Sequence, residues 1–149
     1  MLSKDQQTII TVALNILSDL FKKQDLVATS PEHVKQFCQL HLAHLEYETF
    51  SILFLDNKNR LIKFEKMFRG TINSASVYPR EVIKAALAHN ASNIILTHNH
   101  PSGHTEPSEA DRHITKKLLD ALALLDIHVI DHIIVGPDQT TSFAEKGLL

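Results

Sequence analysis

Two kinds of hydrophobic pattern alternate along the chain, and each predicts its own type of element. Apolar residues at steps of three and four predict amphipathic helices, whereas continuous apolar runs bounded by turn residues predict buried strands. The first helical pattern covers residues 4–23, with its apolar positions at Ile9, Val12, Ala13, Ile16, Leu17 and Leu20. A second helix should begin at Pro31, with Ser30 as its N-cap, and end near Ala43.

Strand patterns begin after the second helix. Residues 48–55 form an apolar run typical of a central strand, and residues 61–68 form the returning strand of an antiparallel hairpin. The turn between them is predicted by the Asp, Asn and Lys composition of residues 56–59. Residues 71–78 should be extended, because Pro79 biases the preceding residue towards the β region.

The second half of the chain repeats the alternation. Pro79 should open a helix that ends near Asn90, with four residues facing inward: Val82, Ala85, Ala86 and Leu87. Further elements are predicted as a buried strand over 93–97, a polar loop to Pro107, a helix over 108–125 and strands over 127–135 and 141–143.

This order of elements predicts an α/β domain with three layers. A mixed sheet should be flanked by helices, and a doubly wound parallel sheet is excluded because the hairpin strands are antiparallel. We expect an N-terminal helical segment over residues 1–25 and one domain over residues 26–149.

Composition narrows the classes of function. The chain of 149 residues has 15 basic and 17 acidic residues, so its charge does not predict a nucleic-acid-binding surface. Cys38 is the single cysteine, which excludes an intrachain disulfide and a cysteine-rich zinc site, and we interpret it as a small buried side chain. No signal peptide or membrane span is visible, and we expect a cytoplasmic protein.

The candidate chemistry lies where the strand over 93–97 ends. Residues two apart in extended backbone point to the same side, so His98 and His100 can converge on one point. Asp111 lies in the first turn of the next helix and should face the same loop. Two imidazoles and one carboxylate suit zinc, and three protein ligands leave a fourth position open, as in catalytic sites.

A structural interpretation of the same residues stays open at this point. Ser108 and Asp111 have the spacing of a capping box, in which both residues stabilise the start of a helix. Either histidine alone is more often a hydrogen-bonded polar residue than a metal ligand.

Longer stretches of the sequence resemble a known family. His98, His100, Pro101, Ser108 and Asp111 match the motif H-x-H-P, six residues, S-x-x-D, of the JAMM (MPN-plus) metalloproteases. The segments FRGTINSASVYPREVIKAAL, NASNIILTHNHPSG, PSEADR and DIHVIDHIIVG, with the ending SFAEKGLL, resemble the RadC family of JAMM-domain proteins. The resemblance covers residues 30–149. Because the first glycine is Gly70, we expect a short form without the helix-hairpin-helix region that most members carry.

The resemblance implies a fold, an activity and roles for particular residues. It implies a JAB/MPN domain, similar to cytidine deaminases in fold, that hydrolyses peptide or isopeptide bonds of a protein substrate with a zinc-activated water. Glu48 corresponds to the family's general base, with Glu46 as the rival, and Ser108 to the residue that stabilises the oxyanion. Asp131-His132 is typical of the family, and His132 is either a paired core histidine or a residue that supports the metal ligands.

Two other functions are considered. The family name is traditionally attached to DNA repair and recombination, so a role through partners or DNA is the alternative to the hydrolase. A nucleobase deaminase is excluded, because that class needs H-x-E and P-C-x-x-C, whereas this chain has a histidine at position 100 and only one cysteine.

We predict that direct binding to duplex DNA is weak and decreases steeply with salt, because acidic residues outnumber basic ones. A gel-shift titration of a labelled duplex at an ionic strength of about 150 mM measures it. An affinity tighter than about 1 μM would contradict the charge argument and favour the repair function.

Overall fold

The computed structural model describes residues 1–23, 28, 30–70 and 76–149, and of residues 20–23 it describes only the backbone. Residues 71–75 of the predicted extended segment 71–78, and most of the connection between the first two helices, therefore lie outside the described residues. At the end of that extended segment, Tyr78 has the predicted β conformation, with φ −98° and ψ 109°.

Four helices and five strands make up the described part of the chain, and each corresponds to an element predicted from the sequence. In chain order they are α1 (Lys4–Lys23), α2 (Pro31–Leu42), β1 (Thr49–Leu55), β2 (Leu61–Arg69), α3 (Pro79–Ala88), β3 (Asn93–Asn99), α4 (Glu109–Ala123), β4 (His128–Val135) and β5 (Thr140–Ser142).

The strands form one mixed sheet in the order β2-β1-β3-β4-β5. The pairs β1–β2, β1–β3 and β4–β5 are antiparallel, and the pair β3–β4 is parallel. The helix α4 connects the two parallel strands, as a parallel pair requires. The predicted α/β class with a mixed sheet is confirmed.

Alternating residues of the central strands supply two separate cores. On one face, Phe50, Ile52 and Phe54 of β1 pack with Val82 of α3 and with residues of α4. On the opposite face, Leu53 and Leu55 pack with α2 residues that include Phe37 and the fully buried Cys38. Burial raises the pKa of the Cys38 thiol to about 12, which agrees with its interpretation as a core residue and not as a reactive thiol.

The structure corrects the sequence-based interpretation in three places. Strand β3 extends two residues beyond the predicted end, because His98 and Asn99 continue the ladder with Ile134 and Val135 of β4. The side chain of Leu87, predicted to face inward, is 58% exposed. Part of the predicted apolar face of α1 is also on the surface, at Ile9, Val12 and Ile16.

Within the described residues, we find no helix that combines the length and the apolar character needed to cross a membrane.

His41 of α2 is enclosed by aromatic rings. Its ring centroid lies 4.3 Å from that of Phe37 and 4.4 Å from that of Phe64, and its Nε2 is buried without a hydrogen-bond partner among the described residues. Burial, together with the charges of Lys66 and His44, lowers the pKa of His41 to about 4. The unfolded chain therefore binds a proton between pH 6.5 and 4 that the folded chain does not bind, so the free energy of unfolding falls as the pH falls through this window.

We predict that His41→Leu makes the free energy of unfolding less dependent on pH between about 6.5 and 4, because leucine has no proton to bind. Urea denaturation at several pH values measures this dependence. The matched control is His33→Leu, which replaces an exposed histidine of the same helix and should keep the wild-type slope. Equal slopes for His41→Leu and the wild type would contradict the assignment.

Candidate metal centre

The two predicted histidine ligands lie at the end of β3, where their positions follow from the pairing of β3 with β1 and β4. His98 pairs with Phe50 of β1 and with Ile134 of β4, and it is fully buried. Its ring stacks on that of Phe50, with centroids 5.9 Å apart and an interplanar angle of 16°. His100 follows the strand, and its backbone N–H still donates to the carbonyl of Val135 at 2.8 Å. The backbone therefore remains extended far enough for both side chains to share one face.

Asp111 lies in the first turn of α4. Ser108 is the N-cap of this helix, and its hydroxyl accepts a hydrogen bond from the Asp111 backbone N–H at 3.0 Å. The Asp111 Oδ2 accepts from the Ser108 backbone N–H at 2.9 Å, which completes a capping box. These bonds hold the carboxylate while its Oδ1 faces His98. The capping interpretation and the metal-ligand interpretation are therefore compatible, because they use different oxygen atoms.

The three predicted ligands converge. The Nε2 atoms of His98 and His100 are 2.9 Å apart, and Asp111 places Oδ1 3.1 Å from the first and Oδ2 3.6 Å from the second. Among the described residues, this set is the one group of three or more histidine, cysteine, aspartate or glutamate side chains whose ligand atoms can share a metal ion, all within 4.8 Å of one another.

Electrostatics keep Asp111 in the form that binds metals. Burial would raise the pKa of its carboxyl group, but the hydrogen bond and charge of His98, together with the bonds from Ser108, outweigh burial and place the pKa below its ordinary value. The carboxylate is therefore ionised at neutral pH.

The bonding of His100 tests whether the set fits a metal. Its Nδ1 lies 2.5 Å from the carbonyl oxygen of His104, and a carbonyl can only accept, so Nδ1 carries the proton. In the neutral ring, Nε2 then presents a lone pair to the lone pairs of the Asp111 carboxylate. Such a collection of acceptors is stabilised by a cation between them, so the residues fit a metal ion.

His132 contacts the centre from β4. Its Nε2 lies 2.8 Å from the Nδ1 of His98, and its Nδ1 lies 2.6 Å from the hydroxyl of Thr115. Burial lowers the pKa of His132 well below its ordinary value, and the charge of His98 acts in the same direction. His132 is thus buried and paired, and it is bonded directly to a predicted ligand.

Glu48 directly precedes β1, two residues before Phe50, which pairs with His98. If the alternation of β1 continues through Glu48, its side chain shares the face of Phe50. Asn99 fixes the backbone on both sides of Glu48: its Oδ1 accepts from the Thr49 N–H at 2.8 Å and its Nδ2 donates to the Tyr47 carbonyl at 2.9 Å.

The rival residue Glu46 lies elsewhere. Its side chain is 79% exposed and its carboxylate is 3.7 Å from the N-terminal amine. The structure thus separates the two glutamates by position. The role of Glu48 as a base, like that of Ser108 at an oxyanion, remains a prediction.

Sequence reasoning missed three contributors to the site. Thr115 lies one helical turn after Asp111, where a buried threonine gives no pattern of its own. The contribution of His104 comes from its carbonyl group, which any residue could supply. Asn99 stands between the two ligands in the sequence, and its alternation to the opposite face could have indicated a supporting role.

Comparison with known proteins agrees with this geometry. Residues 28–148 match the family described as RadC-like JAB domain. A protein from Nitrosococcus oceani called UPF0758 protein is 56% identical over 133 residues, which cover 89% of this chain and 59% of that protein. A protein of the same name from Vibrio atlanticus is 52% identical over 141 residues, 95% of this chain and 62% of the relative.

The chain thus spans about three fifths of the length of these relatives. The family match covers about four fifths of the sequence, and its range includes the two histidines, the capping box and His132. On this evidence the chain belongs to the RadC family of JAB-domain proteins.

Proposed function

We propose that this chain is a zinc-dependent hydrolase of amide bonds, either peptide or isopeptide, in a protein or peptide substrate. The observation that carries the proposal is the convergence of two imidazole Nε2 atoms and one carboxylate on a single point at the end of a buried strand. The fixed bonds of His100 and Asp111 support it, because these side chains are held in place by the protein itself.

Zinc is the proposed metal because of the donor set. Two imidazole nitrogens and one carboxylate oxygen are ligands that zinc accepts readily, and hard cations such as Mg²⁺ prefer sites made of oxygen alone. A bound zinc ion would supply Lewis-acid chemistry, polarising a carbonyl group and lowering the pKa of water towards 7.

Glu48 is the proposed general base. Its carboxylate would accept a proton from the attacking water and return it to the leaving amine, so that one amide and one water become a carboxylic acid and an amine. Its place two residues before Phe50, the partner of His98, together with the bonds of Asn99 on both sides of it, supports this role.

Ser108 is the proposed stabiliser of the oxyanion. Its oxygen accepts from the Asp111 N–H, and the structure assigns its proton to no acceptor among the described residues. That proton is therefore available for a developing negative charge, next to the positive end of the α4 dipole.

We predict that the purified chain binds one equivalent of zinc and that His98→Ala or His100→Ala lowers the occupancy sharply. Elemental analysis after dialysis against a weak chelator measures the occupancy. Zinc should raise the melting temperature of the wild type and leave that of the variants nearly unchanged, because a ligand stabilises only a state that binds it.

The control for this experiment is His113→Ala, which removes an exposed histidine of α4 and should bind zinc as the wild type does. Full occupancy in both His98→Ala and His100→Ala would show that the ligands are assigned wrongly.

We predict that Glu48→Gln lowers hydrolysis by ~10²–10⁴-fold, because glutamine keeps the shape but cannot accept the proton. Zinc content should stay at the wild-type level, since Glu48 is not a ligand in this proposal. The probes are a mixture of proteome-derived peptides and a set of Nε-glycyl-lysine isopeptides, with new termini detected by mass spectrometry.

Glu46→Gln is the matched control and should change neither hydrolysis nor zinc content, because Glu46 is exposed and lies away from the histidines. Equal rates for Glu48→Gln and the wild type would remove Glu48 from the mechanism. A zinc-loaded wild type that cleaves neither peptides nor isopeptides would contradict the proposed hydrolase.

A further inference from the structure

A continuous chain of hydrogen bonds joins two of the proposed metal ligands through residues that do not touch the metal position. From His98 Nδ1 the chain passes to His132 Nε2 at 2.8 Å, and from His132 Nδ1 to the Thr115 hydroxyl at 2.6 Å. That hydroxyl donates to the backbone carbonyl of Asp111 at 2.6 Å. The Asp111 carboxylate faces His98 Nε2 and closes the loop.

The carbonyl group of Asp111, at one end of this series of hydrogen bonds, determines which atom donates in each of them. A carbonyl only accepts, so the single hydroxyl proton of Thr115 points to Asp111. The Thr115 oxygen then accepts from His132, whose proton must be on Nδ1. In the neutral ring Nε2 has a lone pair, and it accepts from the Nδ1–H of His98.

The opposite arrangement of protons is less favourable. If Thr115 donated to His132, its oxygen would lie 2.6 Å from the Asp111 carbonyl oxygen with no proton between them. A doubly protonated His132 is also disfavoured, because the ring is fully buried and its two hydrogen-bond partners, His98 and Thr115, are not carboxylates.

We propose that His132 and Thr115 are positioning residues that hold His98 in the tautomer with its proton on Nδ1, so that the Nε2 lone pair faces the metal position. This inference rests on the proposed metal centre and adds the hydrogen bonds that orient one of its ligands. A histidine ligand is generally fixed by a partner on its second nitrogen, and here that partner is a neutral histidine oriented by a hydroxyl.

Packing prevents the His132 ring from turning out of this chain. Phe143 stacks on it, with centroids 4.6 Å apart at 22°, and Phe50 contacts it edge-on at 5.7 Å. Asp131 anchors the segment that carries Phe143, since its carboxylate accepts from the Ser142 hydroxyl at 2.6 Å and from the Ala144 N–H at 3.0 Å. The aspartate beside His132 thus acts on the ring through the C-terminal segment.

The first test is zinc affinity, measured by competition with a chromophoric chelator. Thr115→Val keeps the shape of the side chain and removes the hydroxyl, so zinc binding should weaken by ~10–100-fold. Thr115→Ser restores the hydroxyl and should recover most of the affinity. Ser51→Ala is the matched control, because it removes a buried hydroxyl on β1 that makes no hydrogen bond with any described residue, and it should bind zinc as the wild type does.

The second test reads the tautomer directly and requires no metal. Long-range ¹H–¹⁵N spectra of the metal-free wild type at pH about 9, where imidazoles are neutral, should show His98 and His132 protonated on Nδ1. Thr115→Val should give a mixture of tautomers at both rings. A wild-type His98 protonated on Nε2 would overturn the inference, whatever the folding of any variant.

The two tests separate this inference from the function on which it rests. A wild type that does not bind zinc would refute the proposed metal centre. A wild type that binds zinc, with Thr115→Val binding it equally well, would refute the positioning role and leave the metal centre intact.

Discussion

Repulsion between lone pairs is the constraint on which the site depends. Two imidazole nitrogens lie 2.9 Å apart beside a carboxylate that is almost fully buried. Buried acceptors without a donor each cost about 1–3 kcal/mol, so such a group of atoms is maintained only if a cation or a proton offsets the cost. In the proposed arrangement, the carbonyl of His104 and the ring of His132 accept the ring protons on the side away from the metal position. The strand pairing of His98 and the capping box of Asp111 hold these atoms close together despite their repulsion.

Each ligand is therefore held by an element that would be stable without a metal. His98 belongs to the ladder between β1 and β4, and Asp111 belongs to a capping box whose second oxygen satisfies a helix N-terminus. Asp111 is a member of the capping box that stabilises α4 and also a proposed ligand, so replacing it would disturb helix and site together. The histidines are better probes, because their loss removes ligand atoms and leaves the capping of α4 intact.

The sequence predicted most of the fold because its patterns are local. The helical spacing of residues 4–23 and the apolar run of residues 48–55 each indicate their element without knowledge of the rest. The two histidines and Asp111 were found because their spacing in the chain reflects the geometry of a strand end and a helix start. Predicted boundaries are less accurate where they depend on a partner strand. Strand β3 is the example, since its last two residues belong to the strand because they pair with β4.

The remaining parts of the site could not be found this way, because they arise from tertiary contacts. Thr115 acquires its role only when β4 brings His132 to α4, and the exposure of Leu87 is decided by how α3 lies on the sheet. The proposed activity is further still from the sequence, since it would depend on a bound metal and a substrate.

Anomalous diffraction at the zinc absorption edge, from crystals of the zinc-loaded protein, is the most direct test of the proposed metal centre. We predict one strong peak at about 2.0–2.2 Å from the Nε2 atoms of His98 and His100 and from a carboxylate oxygen of Asp111. The His98 Nδ1 should at the same time remain within hydrogen-bond distance of His132. A peak elsewhere on the chain, or no peak between these three side chains at saturating zinc, would contradict it.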